Sequence, residues 1–462
     1  MRYWRVLIAV LSIVAGSAVA AQAQPAQPDP PAPPGLPLPP NLSLPGLQQW
    51  IDAVIPPPPI PAPPGPMAAA GLTPALTNLQ SAVMPSDSGD PLFDAWPPDL
   101  AEHAPGDVLE VRDVTATGGP LVLVPVRQVL QLKFRTTDAH DAPSFATASL
   151  VVPAAPWPGP GPRPVLVNNL PIDALGRHCT PSYTLAHGLN GADSATTDWI
   201  PPTTQLAALR GYAVLIPDHE GPRMAYAEPY VAGHAVLDSI RALRNWLPDE
   251  FADSRFVMHG YSGGAIATRG AVALLDSYAP ELTPVVAGAA LGGVPADYKI
   301  LARSMNANLA SGVFLAATFG VARERPEILG MMNNLGRWAA ISPLKDTCAG
   351  IFGATGVLML PIDIAADVPD PLHSDLAADI YRVTRMQGMK SAVPLYVYNG
   401  EQEFWIPAEG ARTLFREQCA LGVHAVYRSV PGEHIIAAAT GYPDAMNWVD
   451  QRLRGVPAPN EC

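Results

Sequence analysis

A serine framed by glycines, Ser262, has the surroundings that nucleophilic chemistry needs. It lies in the G-x-S-x-G run Gly260-Tyr261-Ser262-Gly263-Gly264. In a strand-to-helix turn this tight, a Cβ at either outer glycine would clash, and the serine itself takes a strained backbone conformation. The strain lifts the hydroxyl out of the sheet, where the free N–H groups of the helix N-terminus favour developing negative charge.

The residues on both sides of this run fit such a turn. The apolar run 255–258 predicts a buried strand, and the segment 266–278, rich in Ala, Leu and Val, predicts a helix. The alternative is a glycine-rich turn with a spectator serine. The flanking elements favour a nucleophile elbow, the strand–turn–helix of α/β-hydrolases.

A serine hydroxyl is a poor nucleophile at neutral pH, so it needs a histidine base oriented by a carboxylate. In α/β-hydrolases both follow the serine in the chain, which leaves His373, His424 and His434. His434 follows a predicted strand in a loop before the final helix, where this fold presents its base. We interpret His424 as a strand-face residue and His373 as a surface residue, and we predict that His434 is the base.

The carboxylate is expected at the carboxyl end of the apolar strand 395–398, from which it can reach the base. Glu401 and Glu403 both follow this strand. The position within the loop favours Glu403. Asp444 is a third candidate, which we interpret instead as a helix cap.

An oxyanion hole needs two N–H donors. The residue after the nucleophile, Gly263, is expected to supply one of them. The second is expected from the loop 168–182, which follows the predicted strand 164–167.

The composition excludes several classes of protein. The chain has 462 residues, 48% of them hydrophobic, which suffices for one large domain or two ordinary ones. Its 41 acidic against 28 basic residues give a net charge of −13, which argues against nucleic-acid binding. The sequence has neither a nucleotide-binding glycine loop nor a metal-ligand cluster, so we expect no cofactor and no metal.

The N-terminus is typical of an exported protein. Arg2 and Arg5 precede the apolar run 6–14, and small residues follow up to Ala23, which predicts a signal peptide over residues 1–23. The apolar run is too short for a membrane span, and no later run is long and apolar enough. Four cysteines in an oxidising compartment predict two disulfides, and their spacing alone allows three pairings.

Residues 24–91 read as a proline-rich arm, with 18 prolines over residues 24–66 alone. One segment within it, near residues 46–55, carries an apolar stripe that predicts a short amphipathic helix. The stripe consists of Leu47, Trp50, Ile51, Val54 and Ile55. We favour a helix docked on the catalytic domain over one that contacts lipid, the cell envelope or another protein.

Strands alternate with helices in residues 92–295 and 391–462, which predicts an α/β domain with a mostly parallel central sheet flanked by helices. Residues 296–390 break this alternation and are rich in Ala, Met, Leu and Gly. About 95 residues are too many for one crossover connection. We therefore predict an inserted helical cap or lid; the alternative is two crossover helices with long connections.

Four motifs together resemble a known family. They are Cys-Thr-Pro-Ser-Tyr at 179–183, Asp-His-Glu-Gly at 218–221, Gly-Tyr-Ser-Gly-Gly-Ala at 260–265 and Gly-Glu-His at 432–434. In this order the chain resembles the secretory lipase family of lipase A-like α/β-hydrolases, over roughly residues 95–454. The proline-rich arm lies outside the resemblance.

The resemblance implies an α/β-hydrolase fold with a helical cap and a serine triad that splits lipid esters. Ser262 and His434 match the positions of the family's nucleophile and base. Asp173 matches the position of its oxyanion-hole aspartate. Since a charged carboxylate cannot donate a hydrogen bond, either the Asp173 backbone N–H or its protonated side chain would act.

The resemblance also implies a disulfide pairing and shows one departure. Cys179 and Cys348 match one family disulfide, and Cys419 with Cys462 is similar to the other. Family members carry Asp where this chain has Glu403. The extra methylene displaces the carboxylate by about 1.5 Å unless the backbone retreats, so lower activity is one expected consequence. The cap is where family members diverge most, which leaves substrate size open.

These features predict a secreted serine carboxylester hydrolase, a lipase, that acts on a lipid or small ester at or near a lipid–water interface. A short-chain esterase and an acyltransferase of the same fold are alternatives within this chemistry. From a different class, a catalytically weak hydrolase fold could serve as a binding protein at the cell envelope. The Glu403 departure is the feature of the sequence that favours this last alternative.

Overall fold

A computed structural model describes residues 44–60, 71–189 and 202–462. The predicted signal peptide and the first part of the predicted arm lie outside the described residues. Within the described residues one sheet dominates the chain. Its strands are β1 Val108–Asp113, β2 Val126–Thr137, β3 Pro143–Pro153, β4 Val165–Asn169, β5 Ala213–Pro217, β6 Phe256–Tyr261, β7 Val286–Gly292, β8 Leu395–Gly400 and β9 Ala425–Val430.

The sheet has the order β1-β2-β3-β5-β4-β6-β7-β8-β9. Strands β1, β2, β3 and β5 pair antiparallel, whereas β5, β4, β6, β7, β8 and β9 pair parallel. A parallel sheet needs crossover connections, and these place helices on both of its faces. The sheet therefore has the predicted mostly parallel centre, extended by an antiparallel edge.

Helices lie between and around these strands. They are α1 Leu44–Val54, α2 Pro74–Val83, α3 Pro91–Asp94, α4 Thr115–Val122, α5 Pro181–His187, α6 Thr203–Leu209, α7 Pro229–Trp246, α8 Pro248–Phe251, α9 Gly263–Tyr278, α10 Tyr298–Met305, α11 Ser311–Glu324, α12 Asn334–Ile341, α13 Ala349–Thr355, α14 Asp375–Thr384, α15 Ala408–Ala420, α16 His434–Thr440 and α17 Tyr442–Leu453.

Each face of the sheet has its own apolar core. In β4, Val165 and Val167 pack in the core formed with α7, α9 and α15, whereas Leu166 packs in the core on the other face, with α17. Successive side chains of a strand point to opposite faces. Because both faces are covered, the central strands read as continuous apolar runs instead of alternating ones.

The segment between β7 and β8 contributes no strand to the sheet. Its described residues form helices α10 to α14 and several 3₁₀ turns. They share an apolar cluster with α2 and with Ile266 of α9. The buried members of this cluster include Leu79, Val83, Phe319 and Phe352. The inserted segment thus packs over the helix that begins at the elbow, which is the position that a cap requires.

A buried arginine, Arg323 of α11, joins the inserted segment to α2 and to loops that follow strands of the sheet. The Arg323 guanidinium donates to the carbonyl oxygens of Val83 (3.1 Å), Leu175 (2.8 Å), Met224 (3.0 Å) and Lys345 (2.7 Å). These carbonyls belong to α2, to the loops after β4 and β5, and to the inserted segment itself. A cation enclosed in this way satisfies backbone oxygens that would otherwise be buried without a donor.

The predicted amphipathic helix is α1, but it docks on the inserted segment 296–390, whereas docking on the catalytic domain was expected. Trp50 and Ile51 are buried. The Gln48 side chain donates to the carbonyl oxygen of Asp363 at 2.7 Å. The centre of the apolar stripe is therefore covered by the chain's own residues, and α1 reaches the segment 334–368 of the insertion.

Two disulfides join distant parts of the chain, Cys179 to Cys348 and Cys419 to Cys462. This is the pairing that the family resemblance implies. The first links the loop after β4 to the inserted segment, and the second ties the C-terminus to α15. Among the described residues, no helix has both the length and the apolar character needed to cross a membrane.

Candidate active site

Ser262 lies between the end of β6 and the first residue of α9. It is a non-glycine residue with φ +54° and ψ −122°, a strained conformation that persists only where the surroundings enforce it. The surroundings are crowded. A Cβ added to Gly260 would lie 2.1 Å from the Gly264 carbonyl oxygen, and one added to Gly264 would lie 1.9 Å from the Asn169 carbonyl oxygen. The G-x-S-x-G run thus forms a sharp strand–turn–helix.

His434 is brought to this serine from the other end of the chain. Its Nε2 lies 2.9 Å from Ser262 Oγ. His434 is the first residue of α16. The preceding residue, Glu433, caps that helix, because its side chain accepts the N–H groups of Ile435 and Ile436. Tyr261 adds a second restraint, since its hydroxyl donates to the His434 carbonyl oxygen at 2.6 Å. Both contacts fix the backbone of His434, and this restrains the position of its imidazole.

Glu403 completes a hydrogen-bonded chain. Its Oε2 lies 2.7 Å from His434 Nδ1, and its side chain is fully shielded from solvent. The other oxygen, Oε1, accepts the backbone N–H groups of Trp405 (3.0 Å) and Ile406 (3.2 Å). The Trp405 ring is stacked against His434, with ring centroids 5.6 Å apart. This arrangement can transfer the serine proton to the imidazole and stabilise the resulting positive charge.

The other candidates from the sequence lie elsewhere. Glu401 and His424 are exposed, and His373 is exposed at the end of a short 3₁₀ turn. The interpretation of Asp444 as a helix cap is wrong: α17 begins at Tyr442, so Gly441 holds the cap position and Asp444 lies in the first turn. None of these side chains hydrogen-bonds to the imidazole of His434 within the described part of the chain.

Asp173 lies directly against the elbow. A Cβ added to Gly263 would lie 1.7 Å from Asp173 Oδ1, so a larger residue after the nucleophile would displace the Asp173 side chain. Asp173 has φ +50°, and its Oδ1 is buried with no hydrogen-bond partner among the described residues. Burial of this carboxyl in the protein raises its pKa to about 7, and the opposing effect of the nearby His434, which lowers the pKa, is smaller. A large fraction of the Asp173 side chains is therefore protonated at neutral pH.

Glu220 lies close to the turn that carries Asp173. The Ala174 N–H donates to Glu220 Oε1 at 3.4 Å, and burial raises the pKa of the Glu220 carboxyl well above its ordinary value. The Asp173 carboxyl, in its protonated form, is a hydrogen-bond donor beside the first N–H of α9, that of Gly263.

A cavity of about 480 Å³ opens from these groups into the inserted segment. Asp173, Ser262 and His434 line one part of it, and Ile435, which is 62% exposed, lines it where it meets the surface. The remaining lining is mostly apolar, and most of it comes from helices α10 to α14 and the turns between them. It includes Leu301, Met305, Phe314, Phe319, Met332 and Ile380.

Two groups of site residues escaped the sequence reasoning. Glu220 lies in the Asp-His-Glu-Gly motif, which served above only to support the family resemblance. The sequence signal that could have identified it is a carboxylate in the loop after the apolar strand β5. Trp405 and the apolar residues of the cavity, such as Phe314 and Met332, come from loops and helices with no motif of their own. Only the fold brings them to the serine.

The chain is similar in sequence to proteins named lipases. A sequence profile described as secretory lipase matches residues 203–461, more than half of the chain. Lipase A of Moesziomyces aphidis is 28% identical over 404 residues, which cover 84% of this chain and 85% of that protein. A protein of Mycobacterium tuberculosis named as a probable inactive lipase is 27% identical over 392 residues, which cover 83% and 86%.

A solved structure of a lipase has a similar fold. The X-ray structure of Candida antarctica lipase A in its closed state superposes with a TM-score of 0.72 and 26% identity, over 82% of this chain and 89% of that one. The predicted α/β-hydrolase fold and the predicted family are both confirmed. The chain belongs to the secretory lipase family.

Proposed function

We propose that this protein is a secreted lipase that hydrolyses carboxylic esters of long acyl chains through an acyl-enzyme on Ser262. The observation that carries the proposal is the hydrogen-bonded chain from Ser262 through His434 to Glu403, which borders a cavity lined by apolar side chains. A nucleophile beside an apolar cavity suits an ester whose acyl part is hydrocarbon.

In the first half of the reaction, Ser262 Oγ attacks the ester carbonyl carbon and His434 Nε2 takes its proton. Glu403 keeps the proton on Nδ1 and stabilises the imidazolium. When the tetrahedral intermediate collapses, the C–O bond to the alcohol breaks and His434 gives its proton to the leaving oxygen. The acyl group remains on Ser262.

In the second half, His434 takes a proton from a water molecule, which attacks the acyl carbon. Collapse of this intermediate returns the proton to Ser262 Oγ and releases the free acid. In both halves the carbonyl oxygen carries negative charge, which the Gly263 N–H and the protonated Asp173 carboxyl stabilise. A neutral carboxyl donates to this oxygen, whereas an ionised one would repel it.

The cavity supports a preference for long acyl chains. Its lining is almost entirely hydrocarbon, and it extends from Ser262 into helices of the inserted segment. Each methylene that leaves water for such a lining contributes about 0.8 kcal/mol to binding. We infer that the segment 296–390 acts as the cap that supplies this lining, over a catalytic domain of residues 92–295 and 391–462.

The family and the two disulfides agree with an extracellular location. The signal peptide proposed for residues 1–23 would direct this export. We propose that the protein works on lipid esters outside the cell, near a lipid–water interface.

The proposal is tested by hydrolysis of p-nitrophenyl esters from acetyl to palmitoyl, with Ser262→Ala as the control. A rate that requires Ser262 and persists to palmitoyl supports a lipase. A rate confined to short chains would contradict the long-chain preference and indicate an esterase. A full-length, folded protein with no serine-dependent rate would contradict the hydrolase and favour the binding protein, and an ester product in place of free acid would indicate an acyltransferase.

A further inference from the structure

One stretch of the cavity wall, residues 362–368, has little secondary structure of its own. This wall segment contains a single short 3₁₀ turn, Ile362–Ala365. The side chains of Ile362, Ala365 and Ala366 line the cavity. Because a short 3₁₀ turn supplies few backbone hydrogen bonds, the position of the wall segment depends on bonds from neighbouring parts of the chain.

Two asparagines of the insertion supply some of these bonds. The Asn333 side chain donates to the carbonyl oxygens of Ile364 at 2.7 Å and Ala366 at 2.9 Å. Asn306 Oδ1 accepts the backbone N–H of Ile362 at 2.9 Å. These bonds join the wall segment to other parts of the same insertion.

Further bonds come from outside the insertion, from a glutamine of the proline-rich arm. Gln48 of α1 is 4% exposed. Its Nε2 donates to the carbonyl oxygens of Asp363 at 2.7 Å and Val368 at 2.8 Å, both normal hydrogen-bond lengths. One amide group thus bridges the 3₁₀ turn and the residues that follow it, and its loss would remove a donor from two carbonyl oxygens of the wall segment.

The same helix also contacts the neighbouring part of the wall. Asp52 accepts the backbone N–H of Asn334, the first residue of α12, at 2.7 Å. Gly336 of α12 lines the cavity and packs on the wall segment, since a Cβ added to it would lie 2.4 Å from the Ala365 carbonyl oxygen. Helix α1 is therefore bonded to both pieces of the wall that meet at Gly336.

The wall segment is separate from the catalytic groups. No hydrogen bond among the described residues joins it to Ser262, His434 or Asp173. An acetyl group extends only one carbon atom beyond the ester carbonyl, so it stays beside the elbow. A long acyl chain extends along the cavity into the inserted segment. A change in the wall segment should therefore affect long chains and spare short ones.

We propose that Gln48 is a positioning residue that fixes the wall segment and thereby favours long acyl chains over short ones. This role rests on the proposed function, since it requires that the cavity hold the acyl part of an ester. The physical reason is close packing. A gap of about 0.5–1 Å between a chain and its lining already forfeits a quarter to a half of the dispersion attraction of each contact. The proline-rich arm, which lies outside the family resemblance, would thus take part in substrate selection.

The kinetic test compares Gln48→Leu with Gln49→Leu. Leucine is close to glutamine in size but has no donor, and Gln49 is an exposed residue of the same helix, so its substitution leaves the bonds of Gln48 in place. The quantity measured is kcat/KM for p-nitrophenyl palmitate divided by kcat/KM for p-nitrophenyl acetate. We expect this ratio to fall about tenfold in Gln48→Leu and to stay within about twofold of the wild-type ratio in Gln49→Leu.

An unchanged ratio in Gln48→Leu would overturn the proposal, and so would an equal change in the two variants. Equal losses on both esters in Gln48→Leu would also contradict it, because lower stability reduces the amount of active enzyme for every substrate. Asp52→Ala provides a second variant in case Gln48→Leu does not fold, since Asp52 is exposed. It removes one bond to α12, so we expect the ratio to fall about threefold. A wild-type ratio in Asp52→Ala would count against the role of α1.

A second measurement does not require hydrolysis. The long-chain fatty acid cis-parinaric acid fluoresces more strongly in an apolar site, so a titration gives its Kd. We expect the wild type and Gln49→Leu to bind it equally, and Gln48→Leu to bind it about tenfold more weakly. This result would support the role of Gln48 even if no ester proves to be a substrate, in which case the proposed function alone fails. Equal Kd values in the wild type and Gln48→Leu, or no binding to the wild type, would overturn the inference even in an active esterase.

Discussion

Glu403 Oε2 lies 2.7 Å from His434 Nδ1, although a glutamate stands where the resemblance leads one to expect an aspartate. The longer side chain is accommodated by its own loop. Its second oxygen accepts the N–H groups of Trp405 and Ile406, which fix the carboxylate while Trp405 covers the imidazole. The departure therefore leaves a complete hydrogen-bonded chain to Ser262, and argues against a merely binding function.

Removal of this carboxylate should impair the chemical step and leave binding intact. We predict that Glu403→Ala lowers kcat by about 10³ to 10⁴-fold with little change in KM, because the imidazole loses its orientation and its counter-charge. Glu401→Ala is the control, since the Glu401 side chain is exposed in the same loop. Equal losses in the two variants would contradict the assignment of Glu403.

Glu403→Asp tests whether the loop is built for the longer side chain. An aspartate is shorter by about 1.5 Å, so it cannot reach His434 while it accepts both backbone N–H groups. We predict a kcat about 10 to 100-fold below the wild type. A kcat equal to or above that of the wild type, measured on the same ester, would show that the loop does not depend on glutamate.

Asp173 should make activity sensitive to pH. Its pKa of about 7 means that the donating, protonated form dominates below that pH and is lost as pH rises through it. Asp173→Ala should lower kcat by about 10² to 10³-fold, as loss of an oxyanion donor does elsewhere. Asp173→Asn keeps a neutral donor, so it should retain more activity and flatten the alkaline limb. Equal kcat values for the two variants at every pH would contradict a donating side chain.

The same carboxyl should affect stability in a predictable direction. The folded-state pKa of about 7 lies above the unfolded value of about 3.9, so the unfolded state releases its proton first. The contribution of Asp173 to the free energy of unfolding is therefore greatest below about pH 4 and declines up to about pH 7. Urea denaturation should show a smaller decline over this range in Asp173→Asn. An identical decline in both proteins would contradict the enclosed carboxyl.

Helix α1 should stabilise the inserted segment locally. Asp52 accepts the backbone N–H of Asn334 at 2.7 Å, and Ile51 is buried. We predict that Ile51→Ala costs about 2–5 kcal/mol of local stability. Hydrogen exchange should accelerate in residues 334–341 and 362–368 and remain unchanged in α7. Gln49→Ala, at an exposed position of the same helix, is the control, and equal exchange in the two variants would contradict the docking.

The sequence was sufficient for the features that depend on local order. Ser262, His434 and Glu403 each follow a strand with a recognisable apolar run, and the order of nucleophile, acid and base narrowed the search to a few residues. The parallel sheet likewise follows from alternating runs. The assignment of Asp444 failed because α17 starts two residues earlier, at Tyr442, and Pro443, a residue typical of the first turn of a helix, already lies inside it.

Features that depend on distant contacts were out of reach. The hydrogen bond from the Ala174 N–H to Glu220 joins the loops after β4 and β5, and the burial that raises the pKa values of Asp173 and Glu220 exists only in the folded chain. The surface on which α1 docks is likewise created by the inserted segment. Sequence patterns give the apolar stripe of a helix, but they do not identify what covers it.

The most direct test of the account is the mass of the protein after reaction with a fluorophosphonate, followed by peptide mapping. Ser262 is activated by His434 at 2.9 Å, so the account predicts a single adduct on Ser262 that forms much more slowly in His434→Ala and is absent in Ser262→Ala. A folded wild-type protein that forms no adduct, or one that keeps its adduct in Ser262→Ala, would contradict the proposed nucleophile.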